Sequence, residues 1–154
     1  MIVYRVGKTK HAKDLSGEGA RLFGGRWNHQ LTPCLYTSAT RALAILEFSV
    51  NVHLEDLPHL LSITSIEIPD KLIKELKASE IPADWKTIPA PSSTKNIGTD
   101  FLKDLAAPIL KVPSVIIEEE FNFLLNPLHK ESSRFKIVDI KAISYDEQIK
   151  LIKS

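Results

Sequence analysis

Cysteine occurs once in the 154 residues, at Cys34, which excludes an intramolecular disulfide and a cysteine-built metal site. A lone cysteine of this kind reads as a small, partly buried hydrophobe. An excess of one charge is missing as well: twenty Lys and Arg face nineteen Asp and Glu, for a formal net charge of +1. General nucleic-acid and membrane-surface binders carry a marked basic excess, so neither partner is expected, although a local basic pocket is compatible with the balance. No apolar run approaches the ~18 residues needed to span a bilayer. The opening MIVYRVGK has neither the apolar core nor the small-residue cleavage site of a secretory signal. A cytoplasmic protein is the simplest expectation. Internal repeats, low-complexity tracts and linkers are also absent, so residues 1–154 are read as one domain. The 44% hydrophobic content is enough for an ordinary core.

Several catalytic signatures are missing too. There is no P-loop, no GxGxxG and no GxSxG. The five histidines (His11, His29, His53, His59 and His129) form no HExxH or tight pair that would hold zinc, so no metal is expected. The run Glu118-Glu119-Glu120 reads as a solvated or inter-strand segment.

What is present reads as a mixed α/β chain with scattered helices, not a regular βαβ alternation. Ile2–Val6 is short and β-prone. From Gly7 to Thr32 periodicity is weak, with glycines at 17, 19, 24 and 25, and a long ordered loop is expected. Leu35–Ser38 reads as a second strand. Thr40 is placed to cap a helix over Ala42–Val52, the strongest helical segment of the chain. Leu60–Ile68 reads as a strand ended by Pro69, followed by a short helix from Asp70 to about Ala78, with Lys71 and Glu75 at helical spacing. Ile81–Asn96, with Pro82, Pro89 and Pro91, is expected to be a loop and a candidate lid. A helix over Asp100–Ala107 is stopped by Pro108. Strands are expected at Val112–Ile117 and Phe135–Ser144, with an irregular stretch at Asn126, Pro127 and His129 between them, and a final helical turn in the tail DEQIKLIKS.

Glu47 is the most unusual residue on physical grounds. It is the only ionisable group in 42–52, flanked by Leu43, Ala44, Ile45, Leu46 and Phe48. A carboxylate there must face a cleft, meet a cation, or bear a desolvation cost of several kcal/mol. A structural acid satisfied by a partner and a functional group are both open readings. In GGRWN, Gly24–Asn28, paired glycines permit close backbone approach. Arg26 offers a planar fork for phosphate oxygens and Trp27 a flat apolar surface. An exposed turn with a surface arginine and a core tryptophan explains the same residues. Tyr36, on the strand before the Glu47 helix, converges with Glu47 at one cleft if the connection is tight; its plain alternative is core packing. Ser114 puts a hydroxyl into the apolar VPSVII, which a backbone hydrogen bond accommodates equally well.

Taken in order, YRV, GEGARLFGGRWN, PCLYTS, ALAILE, VPS and NPLH resemble the RES domain, over Tyr4 to His129. The resemblance puts the signature arginine on Arg26, the tyrosine on Tyr36, the glutamate on Glu47 and the serine on Ser114. It departs at His29-Gln30-Leu31-Thr32, which has no glycine where many relatives have one. It implies an ADP-ribosyltransferase-like fold, a mixed β-sheet core with surrounding helices, and a toxin of a bacterial toxin–antitoxin pair. NAD+ would be its substrate and not a cofactor, cut at the nicotinamide–ribose bond. Arg26 would hold the diphosphate, with Trp27 and Asn28 beside it. Tyr36 would position the ribose, Glu47 would stabilise the cationic transition state, and Ser114 would meet the nicotinamide end or order the nucleophile. Water, phosphate or a protein side chain as acceptor remains open, as does a non-catalytic nucleotide-binding module on the same fold. The implied partner is an Xre-type helix-turn-helix antitoxin that covers the cleft, and a homodimer within that complex is left open.

Overall fold

Side chains that alternate between two faces carry this fold, because successive residues of a strand point to opposite sides of the sheet. The computed structural model describes residues 1–149, without the side chains of Leu54 and Glu147. Seven strands form one sheet in the order β4-β5-β6-β2-β1-β3-β7. They are β1 (Ile2–Lys8), β2 (Leu35–Ser38), β3 (Leu61–Glu67), β4 (Ile73–Glu75), β5 (Ile109–Pro113), β6 (Phe121–Leu125) and β7 (Lys136–Ile143). Only β4 and β5 run parallel; the other neighbours are antiparallel. Among the described residues three α-helices accompany the sheet: α1 (Glu18–Phe23), α2 (Arg41–Asn51) and α3 (Ser92–Asp104). No helix among the described residues is long and apolar enough to cross a membrane.

The alternation sorts the core into two clusters. Leu35, Ile109, Phe123 and Leu125 pack with Val3, Ile66, Ile68 and Phe135. Residues of the opposite parity, Cys34, Leu110, Val112 and Leu124, pack with Trp27, Phe101 and Leu102. The second cluster is where α3 settles on the sheet. Burial pushes the Cys34 thiol pKa well up, in keeping with an inert core cysteine.

Several sequence expectations hold closely. The second strand is Leu35–Ser38 as read. The Thr40 hydroxyl accepts the Leu43 N–H at 3.1 Å and starts α2, one residue earlier than expected. Others need correction. The long loop of 7–32 contains the end of β1, a 3-10 turn and the six-residue α1. The helix expected from Asp70 to Ala78 is a 3-10 turn leading into β4, because Ile73–Glu75 pairs with Ile109–Lys111 and tertiary pairing overrides weak local preference. The helix expected from Asp100 begins at Ser92, inside the expected loop, and ends at Asp104. The strand expected over Val112–Ile117 lies at Ile109–Pro113, so Ser114 stands just beyond its end. The expectation missed β6, a short buried run in the middle of the sheet. The tail forms a 3-10 turn at Glu147–Ile149; the rest of the expected turn, 150–154, lies outside the described residues.

Candidate active site

A cleft of about 180 Å³, open to solvent, lies between α2 and the strands it packs on. Tyr4, Tyr36, Ser38, Glu47 and Asn122 are among its lining residues. The sheet register explains the gathering: Tyr4 stands opposite Ser38 across β1 and β2, and Ser38 opposite Asn122 across β2 and β6. Tyr36, two residues before Ser38, shares its face. At the start of α2, the Arg41 guanidinium stacks over the Tyr4 ring, 4.5 Å from its centroid.

Glu47 resolves as a cleft residue held by neutral donors, with no cation salt-bridged to it among the described residues. Its Oε1 accepts from the Ser114 hydroxyl at 2.8 Å and from Asn122 Nδ2 at 2.6 Å. Among the described residues, Oε2 accepts no hydrogen bond from the protein. One oxygen is therefore fixed and the other has no protein hydrogen bond among the described residues.

Ser114 is fully buried, and its hydroxyl is saturated: it donates to Glu47 and accepts the Ile116 and Ile117 N–H groups at 3.1 and 3.2 Å. It therefore braces Glu47 and has no bond left for the nicotinamide end or a nucleophile.

The GGRWN segment is built differently. Asn28 is fully buried and donates to the carbonyls of Ala20, His29 and Thr32, while its Oδ1 accepts the Tyr36 hydroxyl at 2.6 Å. That hydroxyl also accepts the Trp27 N–H at 3.0 Å. Burial raises the Tyr36 pKa well above its ordinary value. Gly25 makes room for the contact, since a Cβ there would stand 2.6 Å from the Tyr36 oxygen. On the other side, a Cβ at Gly98 of α3 would overlap the Trp27 carbonyl, so glycine lets the helix touch the loop backbone. Trp27 itself is 3% exposed and belongs to the core. The Trp27 and Asn28 side chains, expected beside a ligand, are thus turned into the protein, because they anchor the loop that presents Arg26.

Arg26 is half-buried beside the cleft. Its Nη1 donates to the carbonyls of Trp85 at 2.8 Å and Thr87 at 3.0 Å, which ties it to the proline-rich 81–91 segment. Desolvation lowers its pKa, and the charge of Glu47 opposes that shift. Lys86 of the same segment pairs with Glu118, so one of the three consecutive glutamates pins this segment to the turn that carries Ser114.

Sequence reading brought Glu47, Tyr36, Ser114 and Arg26 forward: Glu47 and Tyr36 line the cleft, Ser114 stands behind Glu47, and Arg26 is close enough to feel the Glu47 charge without lining the cleft. It passed over Ser38 and Asn122. The signal for Asn122 was an amide inside the otherwise apolar FNFLL, on a strand that the reading did not see. Arg5 also lines the cleft; its Nη2 donates to the His11 carbonyl at 2.8 Å, and burial lowers its pKa against the charge of Asp14.

The model of the RES domain matches residues 2–147. The chain belongs to the RES-domain family. It is 33% identical over 145 residues to the "Prs ADP-ribosylating toxin" of Sphingobium sp. (strain YBL2), covering 92% of this chain and 90% of that protein. It is 38% identical over 133 residues to a "Toxin Res" of Yersinia enterocolitica, covering 84% of this chain and 86% of that one. In fold, this RES-domain chain is similar to a chain in the crystal structure of the M. tuberculosis MbcT–MbcA toxin–antitoxin complex. The TM-score is 0.74 at 18% identity, over 93% of this chain and 84% of the other.

Proposed function

We propose that this RES-domain protein is the toxin of a toxin–antitoxin pair, acting in the cytoplasm, and that its cleft cleaves the nicotinamide–ribose bond of NAD+. The observation that carries the reading is the Glu47 carboxylate, braced through one oxygen by Ser114 and Asn122 and open to the cleft through the other. Nicotinamide in NAD+ is cationic and leaves as a neutral molecule, taking the electron pair of the broken C–N bond, so this step needs no general acid. It needs fixed negative charge beside the oxocarbenium-like ribose, and a preorganised carboxylate supplies that without reorganising at the moment of reaction. Arg26, with donors beyond the Nη1 that grips the loop carbonyls, takes the diphosphate. The nucleophile adds to the ribose carbon and loses its proton to solvent.

Water as acceptor gives a glycohydrolase and phosphate a phosphorylase. Transfer to a protein is favoured by one specific observation, the name of the Sphingobium relative as an ADP-ribosylating toxin. The partner this reading implies is an Xre-type antitoxin that covers the cleft, in a complex with one toxin copy or two. Incubating the purified protein with labelled NAD+ alone, with added phosphate, or with cell extract as a source of protein acceptors separates the three acceptors. ADP-ribose, its phosphorylated counterpart or a labelled protein is expected, each with an equivalent of nicotinamide. Absence of nicotinamide under all three conditions overturns the reading.

A further inference from the structure

We propose that Asn122, with its amide steadied by Ser38, is a positioning residue that aims Glu47 at the substrate. This rests on the reading of Glu47 as the charge that meets NAD+.

A glutamate on a helix reaches its target through three torsions, and the last, which turns the carboxylate, is broad and weakly preferred. Placement therefore has to come from outside the helix. Here it comes from two neighbouring parts of the sheet, Ser114 just past β5 and Asn122 on β6, and both donate to the same oxygen. Two donors on one oxygen restrain the carboxylate and leave Oε2, on a residue that lines the cleft, without a protein hydrogen bond among the described residues.

An amide can bind a carboxylate through only one of its ends. If Asn122 were flipped, its oxygen would stand 2.6 Å from a carboxylate oxygen, acceptor against acceptor. The acceptor-only carboxylate therefore fixes the direction of the amide, and Ser38 steadies it there, because its hydroxyl donates to Asn122 Oδ1 at 2.7 Å and holds the far end of the group. Ser38 is 3% exposed and directly opposite Asn122 in the β2–β6 register, so its own position is set by the sheet. The relay runs from a rigid strand hydroxyl through an oriented amide to the carboxylate.

The chemical type of Asn122 matters as much as its position. A lysine or arginine there would hold Glu47 equally well and cancel the negative charge that a developing ribosyl cation requires. A neutral amide fixes direction and leaves the charge in place. That accounts for a polar residue in the middle of FNFLL, on a central strand where an apolar side chain would pack more simply.

Steady-state NAD+ cleavage by Asn122→Ala, Ser38→Ala and the double variant tests the relay, with thermal melts beside each. Asn122→Ala is expected to lower kcat by roughly ten- to a hundredfold, as for a misplaced reacting group. Its KM should stay within about threefold of wild type. Ser38→Ala should lose less, and the double variant should be no slower than Asn122→Ala, because Ser38 acts through Asn122. Asn122→Asp, nearly the same shape, sets carboxylate against carboxylate and should be slower than Asn122→Ala. Effects of Ser38→Ala and Asn122→Ala that multiply, or a raised KM with unchanged kcat, overturn the proposal. If Asn122→Ala does not fold, the Asn122→Asp and Ser38→Ala pair decides in its place.

The side-chain amide signals of Asn122 in NMR provide a readout without substrate. They should be protected from solvent exchange in the wild type and lose that protection in Ser38→Ala. Unchanged protection refutes the relay whatever the protein does to NAD+. Lost protection in a protein that leaves NAD+ intact keeps the relay and removes the reaction.

Discussion

The carboxylate end of the candidate site, at Glu47, and its arginine end, at Arg26, are made by different means. Glu47 is held by side chains from the sheet, Ser114 and Asn122, each fixed in turn by backbone or strand neighbours. Arg26 stands on a loop, and its guanidinium grips two backbone carbonyls of the proline-rich segment. The carboxylate end is finished before any ligand arrives, whereas the arginine end has bonds that a diphosphate would supplement or replace. Charge stabilisation profits from rigidity, because reorganisation at the moment of reaction costs rate. A binding grip can tolerate exchange of partners. Under the proposed NAD+ reaction the contrast suits chemistry at one end and affinity at the other, and each variant below is a way to break that division.

The largest effect is expected at Glu47. Glu47→Gln keeps the shape and removes the charge, so kcat should fall by roughly two to four orders of magnitude with little change in melting temperature. A variant that melts early and recovers full activity in the cold would make Glu47 a structural acid. Kinetics beside thermal melts separate the two.

A smaller effect is expected at Tyr36, which belongs to the arginine end although it lines the cleft. Tyr36→Phe leaves the Trp27 N–H and Asn28 Oδ1 without the hydroxyl, at a cost of about 1–3 kcal/mol. Chemical denaturation should show that loss, with weaker NAD+ binding from a loosened Arg26 loop. Unchanged stability with a fall in kcat alone would place the hydroxyl on the substrate and blur the division.

The smallest is expected at Leu31. In the segment after GGRWN, Leu31 takes a left-handed φ of 77° and is 77% exposed. A left-handed leucine costs about 1–2 kcal/mol, part of which a glycine gives back through the greater freedom of its unfolded chain. Leu31→Gly should therefore stabilise the protein by up to about 1 kcal/mol in urea unfolding, with NAD+ turnover unchanged. Destabilisation would mean that the Leu31 side chain makes contacts its exposure conceals.

Legibility in the sequence followed how local each feature is. The helix of Glu47 was readable because its apolar run and the Thr40 cap lie within a dozen residues. β4 was misread because its identity comes from pairing with β5, more than thirty residues away. β6 was missed because a five-residue, nearly continuous apolar strand has no alternation to reveal it. The first half of α3 was hidden by Ser, Thr and Gly, poor helix formers, and Gly98 is there for contact with Trp27 and not for helicity. At the site, Glu47 stood out because a lone charge among apolar residues demands an explanation. Its supports, Ser38 and Asn122, could not be seen until the strand that joins them was.

Binding of ADP-ribose, which carries the diphosphate and lacks the scissile bond, tests the division of labour most directly. Calorimetry on wild type, Arg26→Ala and Glu47→Gln should show affinity lost in the arginine variant, at least tenfold for a charge-assisted phosphate grip, and nearly kept in the glutamine variant. The reverse order, affinity surviving without Arg26 and collapsing without the Glu47 charge, would contradict the account.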